Sequence, residues 1–183
     1  SNQHIEWLST NWENVESHII DLSGAFDSMS AELEKKAVDE LALANTRARL
    51  RMATLYSLAG SNNGIVVGTG NKVEDFGVGF FTKYGDGGVD ISPIADLYKS
   101  EVYSLAKALG IIQEIQDADP TDGLWDDGRT DEEQMGATYE ELEWAMMEIG
   151  SPSGKELTER QRQVMDRYLQ LNSANSHKMK PIP

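Results

Sequence analysis

Two acidic side chains follow a glycine-containing loop near the middle of the sequence. The β-branched run Ile65–Val67 ends in Gly68–Gly70, and Glu74 and Asp75 come soon after. Such a run is typical of a buried parallel strand, and ligands bind beyond the carboxyl ends of parallel strands. A carboxylate beside nucleotide phosphates can hold Mg²⁺, which prefers oxygen ligands. The pattern predicts a nucleotide site with a bound metal, although two solvated acids at a helix start would give the same spacing.

The basic residues are grouped, although the chain has a formal charge of −15. The groups are Arg47, Arg49 and Arg51; Lys72, Lys83 and Lys99; and His177, Lys178 and Lys180. Proteins that bind nucleic acids or membrane surfaces need a basic field that attracts phosphates, so we expect neither partner. On an acidic background, local basic groups instead predict a small anionic ligand.

A third segment nearly matches a phosphate-binding loop. Residues 23–28 read Ser-Gly-Ala-Phe-Asp-Ser, close to the Ser-Gly-Gly-x-Asp-Ser loop of ATP pyrophosphatases. That loop needs glycine at its third position so that backbone N–H groups can face the pyrophosphate, and here the position is Ala25. We therefore predict a helix start, with Ser28 or Ser30 as the N-cap.

The elements that must position these residues alternate between helix and strand. Apolar spacing predicts a helix over 5–19, one or two helices over 30–59, and helices over 94–109, 139–149 and 155–171. The glycine-rich stretch 68–88 carries four aromatic residues, which favours an ordered loop close to a ligand. Helices around a buried strand indicate an α/β layer fold.

Composition narrows the class of protein. At 183 residues and 39% hydrophobic content, the chain can bury the core of a single domain. It has no cysteine, which excludes disulfides, thiolate metal sites and cysteine nucleophiles. Its first residues lack the pattern of a secretion signal, and no stretch is apolar enough to span a bilayer, so we expect a cytoplasmic protein.

Five blocks occur in the order found in one enzyme family. They are Ala44–Met52, Gly68–Glu74, Gly79–Asp90, Pro120–Trp125 and the pair His177-Lys178. Together they resemble the blocks of NAD synthetases, ATP-dependent ligases that amidate deamido-NAD. The resemblance implies an adenine-nucleotide α-hydrolase-like (Rossmann-like) α/β fold, in which a parallel sheet is flanked by helices.

The resemblance also implies roles for individual residues. The implied ATP contacts are Thr69, Lys99 and Thr121, and Lys99 is also the implied catalytic residue. The implied deamido-NAD contacts are Arg49, Lys83, Asp90, His177 and Lys178. Glu74 is the implied Mg²⁺ ligand. Because the chain has one extra residue between Glu74 and Gly79 relative to many members, Asp75 is the alternative ligand.

The implied reaction begins with attack of the nicotinate carboxylate on the α-phosphorus of ATP. This step gives an acyl-adenylate and pyrophosphate, and ammonia then displaces AMP. Mg²⁺ and Lys99 would neutralise the departing pyrophosphate. Free ammonia is the expected donor, because no glutaminase feature is present. The family resemblance further implies a homodimer, with helices such as those over 30–59 available for the interface.

The sequence departs from the family at its N-terminal edge. We expect the strand and the Ser-Gly-Gly-x-Asp-Ser loop upstream of the arginine group, and neither is found there. Residues 1–183 are therefore interpreted as one domain, the C-terminal two thirds of an NAD synthetase, with a sheet that is incomplete at this edge. One alternative is an inactive fragment that serves as a dimerisation or regulatory module. A weaker alternative is a related ATP pyrophosphatase, such as a GMP synthetase or a tRNA-thiolating enzyme.

Overall fold

A computed structural model describes residues 2–180, and the regular secondary structure of these residues is almost entirely helical. The α-helices are α1 (Asn2–Asn11), α2 (Ser23–Glu34), α3 (Glu40–Ser61), α4 (Lys99–Ala108), α5 (Gln113–Gln116), α6 (Asp131–Met135), α7 (Tyr139–Gly150) and α8 (Glu159–Met179). A π-helix, Val73–Val78, lies between α3 and α4. Among these helices, none is long and apolar enough to cross a membrane.

The core lies where the π-helix packs against α7 and α8. Val73, Val78, Leu142 and Val164 are almost completely buried there, with Tyr168 beside them. Burial of large apolar side chains is the main source of folding free energy. Because the π-helix carries Glu74 and α7 begins at Tyr139, this core fixes both residues relative to each other.

Amide side chains of α8 also tie it to the π-helix. Asn172 donates to the carbonyl of Gly77 at 2.7 Å, and Asn175 donates to the carbonyl of Val78 at 2.8 Å. Gly79 follows with a φ of +63°, and a Cβ there would lie 2.5 Å from the Cβ of Asn175. Only glycine fits both the left-handed backbone and this close approach.

Three helices start at threonine capping boxes. Thr130 pairs with Glu133, Thr138 with Glu141, and Thr158 with Gln161 across the first turns of α6, α7 and α8. In each box the two side chains satisfy backbone N–H groups that lack helical partners. The boxes fix where α6 and α7 begin, and their first residues, Asp131 and Tyr139, belong to the site described below.

The predicted parallel sheet is wrong for the described residues. Between residues 2 and 180 the only β pairing is a single parallel bridge between Val67 and Ile91. Val66 is buried, but Ile65 and Val67 are more than half exposed. A continuous apolar run predicts a strand covered on both faces, whereas this segment has one short partner and remains an edge. The α/β layer fold inferred from that run is therefore replaced by a helical fold.

Several helix boundaries also differ from the prediction. The first helix ends at Asn11 rather than continuing to Ile19, and the predicted helix over 94–109 begins only at Lys99. Residues 30–59 contribute to two helices, as the prediction allowed. The near-match to the phosphate loop lies inside α2, whose N-cap is Leu22, so neither Ser28 nor Ser30 caps a helix. Ser28 instead donates to the carbonyl of Gly24 at 2.8 Å, a bond that forms only within a helix.

Candidate functional site

A cleft brings together three of the residues singled out in the sequence. Thr69 after the extended segment, Glu74 in the π-helix and Thr121 before α6 all line it, together with Arg51 and Asp131. Its volume is about 390 Å³. Hydrogen bonds between Thr121 Oγ1 and the carbonyl of Arg129, and between Asp131 N–H and the carbonyl of Pro120, hold one wall in place.

Asn71 orients Glu74 within the cleft. The Asn71 side-chain oxygen accepts from the N–H groups of Val73 at 3.0 Å and Glu74 at 3.2 Å. In return, Glu74 Oε2 accepts from the Asn71 N–H at 3.2 Å. This reciprocal capping holds the carboxylate over the start of the π-helix. Asn71 is 1% exposed, so its position is fixed by packing as well.

Lys99 and Tyr139 meet the other oxygen of Glu74. Lys99 Nζ lies 3.4 Å from Glu74 Oε1, and both side chains are mostly buried. The same ammonium lies 4.5 Å from the centre of the Tyr139 ring, a cation–π contact. The Tyr139 hydroxyl donates to Glu74 Oε1. Burial, followed by the charge of Glu74, raises the pKa of Tyr139, which keeps the hydroxyl protonated as a donor.

Asp131 completes a group that we call the Glu74 cluster: Glu74, Lys99, Asp131 and Tyr139. Asp131 is 7% exposed, and its Oδ2 lies 3.3 Å from the Tyr139 hydroxyl. Its Oδ1 is buried and has no hydrogen-bond partner among the described residues. Burial, followed by repulsion from Glu74 and Asp122, raises the pKa of Asp131 to about 6. A buried carboxylate with so few donors is costly, so this group is short of positive charge.

Asp75, the alternative metal ligand, has a different environment. A Cβ at Gly70 would lie 2.3 Å from Asp75 Oδ1, so the carboxylate packs directly against the Gly70 backbone. Burial, followed by repulsion from Glu74 and Asp86, raises the pKa of Asp75 to about 6. Asp75 therefore matches Asp131 in charge and pKa but faces the loop of Gly68–Gly70.

Three of the predicted substrate contacts form a second group, which we call the basic row: Arg49, Lys83 and His177. Arg49 Nε donates to the carbonyl of Lys83 at 3.3 Å, and Lys83 Nζ donates to the carbonyl of His177 at 2.9 Å. Arg49 and His177 are exposed. Both hydrogen bonds run to backbone carbonyls, so the two cations keep the capacity to pair with an anion. His177 lies in the last turn of α8, not in a disordered tail.

Lys178 and Asp90 make structural contacts. Lys178 Nζ donates to the carbonyls of Gly79 at 2.9 Å and Phe81 at 2.8 Å, and burial lowers its pKa. Asp90 Oδ2 accepts from the Val66 N–H at 2.7 Å, which supports the β bridge, and its Oδ1 accepts from the Tyr56 hydroxyl at 3.1 Å. The hydrogen bonds of these two residues do not place them in the basic row.

The site thus collects some predicted residues and adds others. Thr69, Glu74 and Thr121 share the cleft, and Lys99 joins them through its ion pair with Glu74. Arg51 belongs to the arginine group that the sequence shows, although no role was predicted for it, whereas Asp131 and Tyr139 were not predicted at all. Asp131 and Tyr139 each follow a threonine of a Thr-x-x-Glu capping box, a signal that is present in the sequence.

Comparison with known proteins gives consistent matches. The sequence profile of the NAD synthase family matches residues 3–182. The NH(3)-dependent NAD(+) synthetase of Alkaliphilus metalliredigens is 40% identical over 182 residues, covering 98% of this chain and 68% of that protein. The protein of the same name from Alkaliphilus oremlandii is 48% identical over 139 residues, covering 76% of this chain and 52% of its own length.

Two solved structures share the backbone arrangement. The NMN synthetase from Francisella tularensis has a TM-score of 0.82 and 34% identity, and the match covers 98% of this chain and 69% of that one. The NH3-dependent NAD synthetase from Campylobacter jejuni, in complex with the nitrate ion, has a TM-score of 0.71 and 26% identity. That match covers 93% of this chain and 66% of the Campylobacter chain.

Proposed function

The chain belongs to the NAD synthase family, and from this membership we propose that it acts in the ATP-dependent amidation of deamido-NAD to NAD. Ammonia is the proposed nitrogen donor, and AMP and pyrophosphate are the released products. Curated relatives named NH(3)-dependent NAD(+) synthetases support this proposal. We further propose that residues 1–183 form a single unit of such a synthetase, because the family profile covers nearly all of them.

The observation that carries the proposal is the cleft with its buried ion pair. Thr69, Thr121 and Glu74 line one cavity, and Lys99 contacts Glu74 from the start of α4. Hydroxyl donors and a lysine around a cavity suit the phosphates of a nucleotide. We propose Thr69, Lys99 and Thr121 as ATP contacts on this basis.

In the proposed reaction, a nicotinate carboxylate oxygen bonds to the α-phosphorus of ATP. The bond from that phosphorus to the bridging oxygen breaks, and pyrophosphate leaves with its electron pair. Ammonia then bonds to the acyl carbon, AMP leaves with the former carboxylate oxygen, and the nitrogen loses a proton to solvent. Lys99 is the proposed catalytic residue, because an ammonium beside the phosphates stabilises charge that develops on the leaving group.

The Glu74 cluster also fits a divalent cation, which we propose to be Mg²⁺ held by Glu74. Each carboxylate oxygen can accept more than one contact, and among the described residues Glu74 Oε2 has a single donor, the Asn71 N–H. Asp131 Oδ1 nearby has no hydrogen-bond partner among the same residues, which supports a cation at this position. When bound, the cation would neutralise the part of the phosphate charge that Lys99 alone cannot balance.

The basic row is the proposed contact surface for the dinucleotide. Arg49, Lys83 and His177 adjoin one another, and the two cations donate to backbone carbonyls within the row. A dinucleotide has two phosphates, which suit a guanidinium and an ammonium. Asp90 and Lys178 complete the proposed set of substrate contacts, although their observed hydrogen bonds are to the protein itself.

We also propose a homodimer. Leu41 and Leu55 on α3 are 59% and 52% exposed, which leaves apolar surface on the longest helix. Exposed apolar side chains on a helix can be covered by a second copy. Analytical ultracentrifugation tests this proposal, because a monomer at all concentrations would contradict it.

A second candidate substrate is nicotinate mononucleotide. The Francisella structure that shares 34% identity with this chain is an NMN synthetase, and amidation of the mononucleotide would use the same chemistry. A purely dimerising or regulatory module is not favoured, since the curated relatives are named as synthetases and the cleft contains Glu74, which pairs with Lys99.

The deciding experiment is isothermal titration of the chain with deamido-NAD and with nicotinate mononucleotide, each with and without Mg-ATP. We expect saturable deamido-NAD binding that Arg49→Ala weakens at least tenfold, a loss of about 1.4 kcal/mol. Arg160→Ala, which removes an exposed arginine on α8, is the matched control and should leave the affinity unchanged. Tighter binding of the mononucleotide would favour the second candidate, and no binding of either nucleotide would contradict both.

A further inference from the structure

We propose that Asp131 is a second carboxylate ligand of the divalent cation at the Glu74 cluster. The inference rests on the proposed function for the presence of a cation, and it adds a residue to which the sequence assigned no role. Its basis is the hydrogen bonding, burial and charge around Asp131.

The Asp131 carboxylate is buried and one of its oxygens has no partner. The residue is 93% buried, because only 7% of its surface is exposed, and Oδ1 has no partner among the described residues. Most buried side-chain oxygens in proteins have at least one donor, so an unpartnered one requires an explanation. A bound cation would explain the missing partner, because carboxylate oxygens are the ligands that magnesium prefers.

The Glu74 cluster has too few hydrogen-bond donors for its two carboxylates. Tyr139 has one hydroxyl proton, and the hydroxyl contacts both Glu74 Oε1 and Asp131 Oδ2. The contact to Glu74 is the closer of the two, so that proton belongs mainly to Glu74. A single hydroxyl proton cannot satisfy two carboxylates, and Asp131 is therefore left without an effective donor.

The two carboxylates are close to each other. Glu74 Oε1 and Asp131 Oδ2 both contact the Tyr139 hydroxyl. Two oxygens that bind one Mg²⁺ at about 2.1 Å are separated by roughly 3 to 4 Å. Because Glu74 Oε1 and Asp131 Oδ2 contact the same hydroxyl, one cation can reach both carboxylates with small side-chain adjustments.

Asp131 is held in place by its backbone and by the cap of α6. Its N–H donates to the carbonyl of Pro120 at 3.0 Å, and Thr130 caps the helix that it starts. An acid in the first turn of a helix is commonly explained by helix capping alone. Its neighbours fit that explanation, since Glu133 accepts from the Thr130 N–H and Glu132 accepts from the Tyr139 N–H. Asp131 differs, because it lines the cleft and its Oδ1 has no hydrogen-bond partner among the described residues.

The Glu74 cluster has a net negative charge without a bound cation. Glu74 and Asp131 carry two negative charges when ionised, and the salt bridges of the described residues give Glu74 one cation, Lys99. A divalent cation would change the net charge of the cluster from −1 to +1. A positive cluster attracts a triphosphate, whereas a negative one repels it.

The test is Mn²⁺ binding to the full chain, followed by electron paramagnetic resonance of the free ion. We expect Glu74→Gln and Asp131→Asn each to weaken Mn²⁺ binding at least tenfold. Glu143→Gln is the matched control, because Glu143 is as buried as Asp131 but its two oxygens accept from the N–H and the hydroxyl of Ser100. It should change the affinity less than threefold.

Thermal unfolding without metal gives an independent readout. If Asp131 is a ligand, Asp131→Asn should keep or raise the metal-free Tm, because it removes a buried charge, and it should abolish most of the stabilisation by Mg²⁺. A lower metal-free Tm with unchanged Mn²⁺ affinity would show a structural role and overturn the proposal. Loss of affinity for NH₄⁺ with unchanged Mn²⁺ affinity would assign the carboxylate to ammonium and overturn it as well.

The outcome also separates this proposal from the proposed function. If Glu74→Gln loses Mn²⁺ and Asp131→Asn does not, the second ligand is wrong while the metal site stands. If the unaltered chain binds deamido-NAD but not Mn²⁺, the metal assignment fails for both residues and the substrate assignment stands.

Discussion

The Glu74 cluster and the basic row differ in what each lacks. In the cluster, two mostly buried carboxylates share one ammonium and one hydroxyl, so acceptors outnumber donors. In the basic row, Arg49 and Lys83 donate to backbone carbonyls rather than to carboxylates, so positive charge is in excess among the described residues. The contrast teaches that buried carboxylates with too few donors suit a bound cation, whereas exposed cations without carboxylate partners suit an anionic substrate.

The largest expected effect comes from the cation of the cluster. Lys99→Ala should lower kcat by roughly 10²- to 10³-fold, the usual cost of removing one donor that stabilises charge in a transition state. Single-turnover formation of pyrophosphate from ATP measures this step. Lys72→Ala is the control, because Lys72 packs over the Tyr98 ring and should matter little. Equal losses for both variants would show that general charge, and not the Glu74 contact, is responsible.

The next prediction concerns pH. The pKa of Asp131 is about 6 in the folded chain against 3.8 for the free side chain. Between these values the folded chain keeps a proton that the unfolded chain releases, so the stability contributed by this group falls as pH rises from about 4 to about 6 and is constant above that window. Without metal, the wild type should lose up to about 3 kcal/mol relative to Asp131→Asn across the window.

Urea unfolding at several pH values, with a chelator present, measures this difference. Asp96→Asn, which removes an exposed carboxylate, is the control and should leave the curve parallel to that of the wild type. A wild type that gains stability relative to Asp131→Asn as pH rises would contradict the prediction, because it would mean that the folded state favours the charged carboxylate.

A smaller effect is expected in the basic row. Lys83→Ala should weaken deamido-NAD binding about tenfold, and added salt should shrink the difference, since charges near the surface are screened within about 8 to 10 Å at ordinary ionic strength. Titrations at low and high salt measure it. A loss that is independent of salt would mean that Lys83 acts by positioning α8 through its bond to His177 rather than by pairing with phosphate.

The sequence allowed α7 to be predicted with near-correct bounds, because its apolar spacing agrees with its burial in the core. The parallel sheet was wrong because the apolar run Ile65–Val67 does not reveal how many neighbours it has. A strand pattern records the composition of one segment, whereas a sheet depends on pairing with distant segments.

In the site, too, the sequence does not reveal contacts between distant segments. Glu74 and Thr121 were identified through motif resemblance, and the structure places both in one cleft. Tyr139 and Asp131 were missed because their importance arises from contacts across the fold. Tyr139 reaches Glu74 over 65 residues of sequence, and periodicity shows Tyr139 only as the start of an amphipathic helix.

The smallest effect should come from an ion pair outside both regions. Arg160 donates twice to Glu141 at 2.6 Å, and Glu141 lies two residues after Tyr139 on α7. The pair lowers the pKa of Glu141, so its contribution is present at neutral pH and is lost as pH falls below about 4. Arg160→Ala should nevertheless cost less than about 1 kcal/mol, because exposed pairs are well solvated. Chemical denaturation measures it, with Arg162→Ala, another exposed arginine of α8, as the control. A cost above about 2 kcal/mol would show that close geometry rather than burial sets the strength of ion pairs here, and the contrast between the Glu74 cluster and the basic row would then need a different cause.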